Sequence, residues 1–134
     1  MGVVTPSYEW RGSFSNAELN ALHGEGFGTP LRDDDWLGQV ERWSLGWVTA
    51  RDGDRLVGFV NVAWDGGVHA FILDTLAAAD LRRQGIGARL VEIARDEARA
   101  AGCEWLHVDF DEELRAFYVD ACGFTPTPAG LIGL

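Results

Sequence analysis

The chain has 134 residues, 11 basic against 21 acidic side chains, a net charge of −10 and 47% hydrophobic residues. That length suits one domain, residues 1–134, with a real core, and the acidic balance argues against a general nucleic-acid binder. No apolar run approaches membrane-spanning length, and Met1-Gly2-Val3-Val4 does not open a basic segment followed by a long apolar one. A cytoplasmic protein without a membrane partner is the expectation. Cys103 and Cys122 match no metal spacing or disulfide framework, so they read as buried thiols.

Tyr8, Trp10 and Phe14 at even spacing predict a first strand within Val3 to Phe14. Ser15-Asn16-Ala17-Glu18 fits a capping box that opens a short helix through Leu19, Leu22 and His23, which Gly24 and Gly26 end. Residues 24–35 read as a loop, with Gly-Thr-Pro at 28–30. An aspartate among Asp33, Asp34 and Asp35 caps a second helix to about Ser44, carrying Trp36, Val40 and Trp43. Trp47 to Ala50 and Leu56 to Trp64 read as a hairpin turning at Asp52-Gly53. Val68 to about Leu76 is a long third strand after Asp65-Gly66-Gly67. From Gly85 to Ala101, Ile86, Leu90, Ile93, Ala94, Ala98 and Ala101 keep helical spacing, and Gly102 stops the helix. Trp105 to Phe110 reads as a strand and Glu112 to about Ala121 as a helix. Phe124 to Leu134 is expected to hold short final strands interrupted by Pro126 and Pro128. A helix between the 68–76 and 105–110 strands implies a right-handed crossover and parallel pairing of those two.

The most informative stretch is Arg82-Arg83-Gln84-Gly85-Ile86-Gly87-Ala88. Two glycines at a loop-to-helix junction let backbone amides approach a ligand, and the helix N-terminus adds partial positive charge. Such a junction suits a phosphate group. A third glycine, as in a dinucleotide fingerprint, and the Lys-Ser/Thr of a P-loop are both missing.

The element order, the Arg82-x-x-Gly85-x-Gly87 motif and the later Phe117-Tyr118 followed by Cys122-Gly123-Phe124 resemble the GCN5-related N-acetyltransferase (GNAT) superfamily over roughly residues 45–134. The resemblance implies a mixed α+β fold. Its sheet is mostly antiparallel, of 6–7 strands, with one parallel pair at the cofactor cleft and about four flanking helices. It implies an acetyl-CoA-dependent transfer to a primary amine, with no metal. Arg82, Arg83, Gln84, Gly85, Ile86, Gly87 and Ala88 would cradle the pyrophosphate. The backbone of Leu76, Ala77 and Ala78 would meet the pantetheine arm, and one such N–H would polarise the thioester carbonyl. Phe117 and Asp111 would complete the cofactor site. Many members carry Asn at the Asp111 position, so that contact departs from the pattern. It also leaves open a catalytically silent acyl-CoA-binding module.

Tyr118 is the family's usual general acid, and a rim or core tyrosine is the plainer alternative. For the base, Asp74 is a charged residue late in a strand expected to be buried, with a structural carboxylate as its equal alternative. Strand alternation groups it with Ala70 and Ile72, and groups His69 with Phe71 and Leu73. Glu25, Phe27, Trp36 and Trp64 are the candidates for binding a small, cationic amine, since carboxylates and aromatic walls suit one. Each tryptophan is equally well a core residue. Glu25, His23, His69 and His107 are the other candidates for the base, and His107 shares a strand face with Asp109. An exposed apolar Leu131-Ile132-Gly133-Leu134 would favour a homodimer.

Overall fold

The computed structural model describes residues 3–27 and 32–134, without the side chains of residues 26 and 27. Five strands form one sheet in the order β1-β2-β3-β4-β5. They are β1 (Ser7–Trp10), β2 (Ser44–Asp52), β3 (Arg55–Trp64), β4 (His69–Ala77) and β5 (Trp105–His107). Three pairings are antiparallel, and β4 pairs β5 in parallel, as the crossover helix requires. That helix is α3 (Ile86–Ala100), while α1 (Asn16–Phe27) and α2 (Trp36–Trp43) lie between β1 and β2 in the chain.

Local signals set several boundaries. The Ser15 hydroxyl accepts from the Glu18 N–H at 3.1 Å, and the Ser15 N–H donates to the Glu18 carboxylate at 2.9 Å. That reciprocal pair is the capping box expected for α1. Asp35 caps α2 by accepting from the Gly38 N–H at 3.1 Å. Gly53 turns the hairpin at φ +61°. Glycine does not end α1: the helix runs past Gly24 and Gly26 to Phe27. The expected Gly-Thr-Pro loop at 28–30 lies outside the described residues.

Asn16 and Asn20 lock α1 to the approach of α2. Asn20 is buried, accepts from the Trp36 indole at 3.0 Å and the Asp34 N–H at 3.2 Å, and donates to Asp34 and Asn16 carbonyls. Asn16 accepts from the Leu37 N–H at 2.8 Å. Burying these amides costs little because their polar atoms are bonded.

The Arg51 guanidinium grips Glu18 with both nitrogens, at 2.8 and 3.0 Å, and reaches the Ser13 carbonyl. The Arg51 hydrogen bonds hold the Glu18 carboxyl down to about 2, against an ordinary 4.5. A folded-state pKa below the unfolded value stabilises the fold above the unfolded value, and that gain is lost as pH falls toward the folded one. Tm is therefore expected to fall between pH 4.5 and about 2. Arg51→Gln should flatten that part of the Tm-against-pH curve, by a modest amount because the pair is partly exposed.

The core fills both faces of the sheet. Phe14, Leu19, Leu22, Trp36, Val40, Trp47 and Phe59 join Val48, Val60, Val62, Ile86, Leu90 and Ala94 in one cluster. Helix α3 can seat only because Gly58 has no side chain. A Cβ there would lie 2.8 Å from Ile86 Cγ2 and 3.1 Å from Leu90 Cδ1. Gly58→Val is expected to destabilise the protein by about 1–3 kcal/mol through overpacking, read from urea unfolding midpoints.

Two expectations need correction. The sheet has five strands among the described residues rather than 6–7, because residues 124–134 form none. Pro126 and Pro128 lack the N–H that a ladder needs. Leu131, Ile132 and Leu134 are exposed. Instead, Phe124, Thr125 and Thr127 border a groove of about 770 Å³ against α3 and β5. The last helix is also not a regular α-helix: a 3-10 turn (Glu112–Leu114) leads into a π-helical segment (Ala116–Ala121).

Candidate functional site

β4 and β5 share only three register pairs, His69↔Trp105, Ala70↔Leu106 and Phe71↔His107. Beyond them β4 continues to Ala77 while β5 ends at His107. No described strand pairs with residues 72–77 on that side, which opens a cleft walled by bare backbone N–H and C=O groups. An extended ligand can use such an edge as a further strand would.

A β-bulge sits inside this edge. Asn61 pairs with Leu73 and Phe59 with Leu76, so Asp74 and Thr75 together oppose Val60. Asp74 takes φ +54°, uncommon for a residue with a side chain. The bulge breaks the alternation that would group Asp74 with Ala70 and Ile72. Burial pushes the Asp74 carboxyl pKa up, and among the described residues the His23 imidazole of α1 acts against that rise. Thr75 Oγ1 is buried with no hydrogen-bond partner of ordinary geometry. The polar side chain that acts on it is the Tyr118 phenol.

Tyr118 faces this bend from the π-helical segment. Its ring is 7% exposed, stacks on Phe110 at 5.3 Å and meets Phe117 and Phe124 edge-on. Burial raises its phenol pKa above 10.0, and the neighbouring Thr75 side chain partly opposes the rise. The phenol therefore keeps its proton at neutral pH. Neither Thr75 nor Phe110 stands out in the sequence; Thr75 owes its place to a bulge that depends on register with β3.

At the far end of the cleft, a 3-10 turn (Ala79–Leu81) leads to the 82–88 loop. Arg83 and Gly85 both have positive φ, +66° and +83°. The Arg89 N–H bonds to the Gly85 carbonyl at 3.0 Å. The amides of Ile86, Gly87 and Ala88 precede that bond and point outward from the start of α3. A Cβ on Gly87 would lie 3.0 Å from Phe117 Cζ, so the Phe117 ring closes over the loop. Gln84 accepts from the Val4 N–H at 3.2 Å, which ties the N-terminal segment to the loop. Arg82, Arg83 and Asp111 are exposed. Asp111 caps the 3-10 turn through its carbonyl, with the Leu114 N–H at 2.8 Å, and its side chain caps nothing.

The structure thus brings Tyr118 to Thr75 and Phe117 to Gly87, with Leu76 and Ala77 on the unpaired stretch of β4, while Asp74 neighbours His23 of α1 and Arg82, Arg83 and Asp111 are exposed. The acceptor candidates are less united. Glu25 accepts from the Ala79 N–H at 2.5 Å, so its carboxylate fastens α1 to the backbone after β4. Trp36 is a core residue, 7% exposed, beside His23. Trp64 pairs with Ala70, at the other end of β4 from Leu76. The Phe27 side chain lies outside the described residues. His69 and His107 lie at the closed end of the cleft. Among the described residues no group of three or more His, Cys, Asp or Glu could hold a metal ion, and no helix is long and apolar enough to cross a membrane.

A sequence model of the acetyltransferase (GNAT) family matches residues 9–124. The chain belongs to this family. Solved structures agree on the fold. A GNAT-family acetyltransferase from Streptococcus pneumoniae TIGR4 superposes with a TM-score of 0.78 at 21% identity, covering 97% of this chain and 98% of the other. Glucosamine-6-phosphate N-acetyltransferase from Arabidopsis thaliana gives 0.73 at 15%, covering 96% and 98%. An aminoglycoside acetyltransferase from an uncultured soil metagenomic sample, in complex with sisomicin, gives 0.75 at 14%, covering 96% and 94%. No curated protein sequence matches the chain. Membership in the GNAT family implies acyl-CoA-dependent acetyl transfer. The residues present fit such a ligand: the edge of β4 beyond β5 has no described strand beside it, and the glycine loop under Phe117 leaves room for a close approach.

Proposed function

We propose that the protein is an acetyl-CoA-dependent N-acetyltransferase that acylates a primary amine of a small, cationic acceptor by direct transfer. The observation that carries this reading is Tyr118, a buried and protonated phenol set beside Thr75 at the bulge where β4 and β5 part.

Bound acetyl-CoA supplies an activated thioester. The amides at the start of α3 and the glycine loop hold its anionic end, and the β4 edge at Leu76 to Ala78 holds its arm. An N–H of that edge stabilises charge on the carbonyl oxygen. Asp74 would take a proton from the acceptor's ammonium group, and the free amine would attack the thioester carbon and then shed a second proton to water. As the carbon–sulfur bond breaks, Tyr118 would give its proton to the sulfur and regain one from water. Neither cysteine has an activating setting: burial raises both thiol pKa values. The carboxylate of Asp74, and a net charge of −10, favour a cationic acceptor. The aminoglycoside acceptor named for one structural neighbour is compatible with that choice.

The test is thiol release from acetyl-CoA with a panel of polyamines, amino acids, amino sugars and aminoglycosides. Turnover with at least one cationic amine is expected. Calorimetric CoA binding without turnover on any amine would instead make the chain an acyl-CoA-binding module. Absence of CoA binding at millimolar concentration would overturn both.

A further inference from the structure

At the closed end of the cleft two histidines meet across the parallel pair. His69 Nδ1 lies 2.8 Å from His107 Nε2. His69 pairs with Trp105 and His107 with Phe71, so the two imidazoles are diagonal neighbours on one face. The His107 ring stacks on Phe71 at 4.7 Å and 21°. Asp65 accepts from the Gly67 N–H at 2.7 Å and the His69 N–H at 3.3 Å, which places a carboxylate charge beside the pair. His107 is exposed and His69 half-buried, so the pair is open to water. None of these residues has a part in the acetyl-transfer reading above.

We propose that His69 and His107 form a two-imidazole surface site for a late first-row divalent cation, Cu²⁺ or Ni²⁺, that braces β4 to β5 at the point where they part. Two metal–nitrogen bonds of about 2.0 Å meeting at a right angle place their donors about 2.8 Å apart. The observed nitrogen separation is already that bite. A tetrahedral ion such as Zn²⁺ would need the rings farther apart.

In the metal-free pair one imidazole donates its N–H to the other. On binding, the donor ring passes that proton through water to its own second nitrogen. Each ring turns by about 45°, from aiming its nitrogen at the other ring to aiming a lone pair at the shared ion. No net proton is gained or lost and no redox step occurs. Among the described residues no third His, Cys, Asp or Glu joins the pair, so water completes the coordination and the ion exchanges with solvent. Asp65 adds long-range attraction without being a ligand.

The full chain is titrated with Cu²⁺ and, separately, with Ni²⁺, which does not oxidise the two thiols. Binding is expected in the order Cu²⁺ over Ni²⁺ over Co²⁺, with a rise in Tm. His69→Gln and His107→Gln should each weaken it by at least about tenfold, because a chelate becomes a single contact. Both side chains reach solvent, so circular dichroism should show both variants folded. The electron paramagnetic resonance spectrum of the Cu²⁺ form should carry splitting from two equivalent imidazole nitrogens. Binding that survives both substitutions, as at the terminal amine, would overturn the site. So would a spectrum with fewer than two imidazole nitrogens, or the absence of saturable binding.

Discussion

Replacing Tyr118 by phenylalanine is expected to lower kcat for acetyl transfer by about a hundredfold or more, the usual worth of a positioned general acid. The fold should survive. The ring is held by Phe110, Phe117 and Phe124, and phenylalanine keeps every one of those contacts. The chain bond from the Phe124 N–H to the residue 118 carbonyl, at 3.0 Å, is also untouched. Only the hydroxyl goes, and with it the proton for the departing sulfur. KM for acetyl-CoA should change little, because the loop and the β4 edge do the binding. A loss of kcat without a rise in KM is the mark of an interaction made in the transition state. The rate should depend on the leaving group: thioesters of more acidic thiols need less help, so the variant should lose less with them. A raised KM at unchanged kcat would make Tyr118 a wall of the site and not its acid.

The features of this site that the sequence reveals are those set by neighbours in the chain. Gly85 adopts φ +83°, a conformation that favours glycine, so the turn before α3 is written in residue type. The Ser15–Glu18 capping box and the Asp35 cap are likewise bonds between residues three apart. The bulge is different. Asp74 and Thr75 share one partner on β3 because of how two strands slide past each other, and no local residue announces it. Alternation, which carries the inward and outward pattern of His69 to Leu73, therefore fails one residue later, where the chemistry sits. Residue type misleads in the acceptor region for a related reason. Trp36 and Glu25 have the aromatic and acidic character that a cationic ligand wants. The Trp36 indole is spent on Asn20, and the Glu25 carboxylate on the Ala79 amide. Whether a polar group is free for a ligand depends on long-range packing, which periodicity does not encode. The wide π-helical turn under Tyr118 is legible in no spacing either, since Glu112 to Ala121 reads equally well as an ordinary helix. Such turns are frequent at functional sites.

Asp74→Asn is expected to divide function from stability. The bulge holds residue 74 at φ +54°. Asparagine tolerates that region as well as aspartate does, so the backbone should keep its course. The change removes the charge and the capacity to take a proton. Activity toward the amine should fall by about 10²–10⁴-fold if Asp74 is the base. Stability should move the other way. Burial raises the Asp74 pKa above the usual 3.8, so the folded state holds its proton more tightly than the unfolded one. Such a group costs stability once pH rises past its unfolded value, and the full cost is in place above its folded value. The neutral amide avoids that cost, so Tm at pH 7 should be higher in the variant than in the parent. At a pH below 3.8, where the carboxyl is protonated in both states, the two Tm values should converge. The same raised pKa sets the acid limb of the wild-type rate profile, since a base works only when deprotonated: kcat/KM should decline with falling pH at a value above 3.8. A variant that loses activity and also loses stability at pH 7 would mean that the carboxylate holds the bulge together and does not serve the amine. Retained activity with raised stability would pass the role of base to His23, whose imidazole acts on Asp74 from α1.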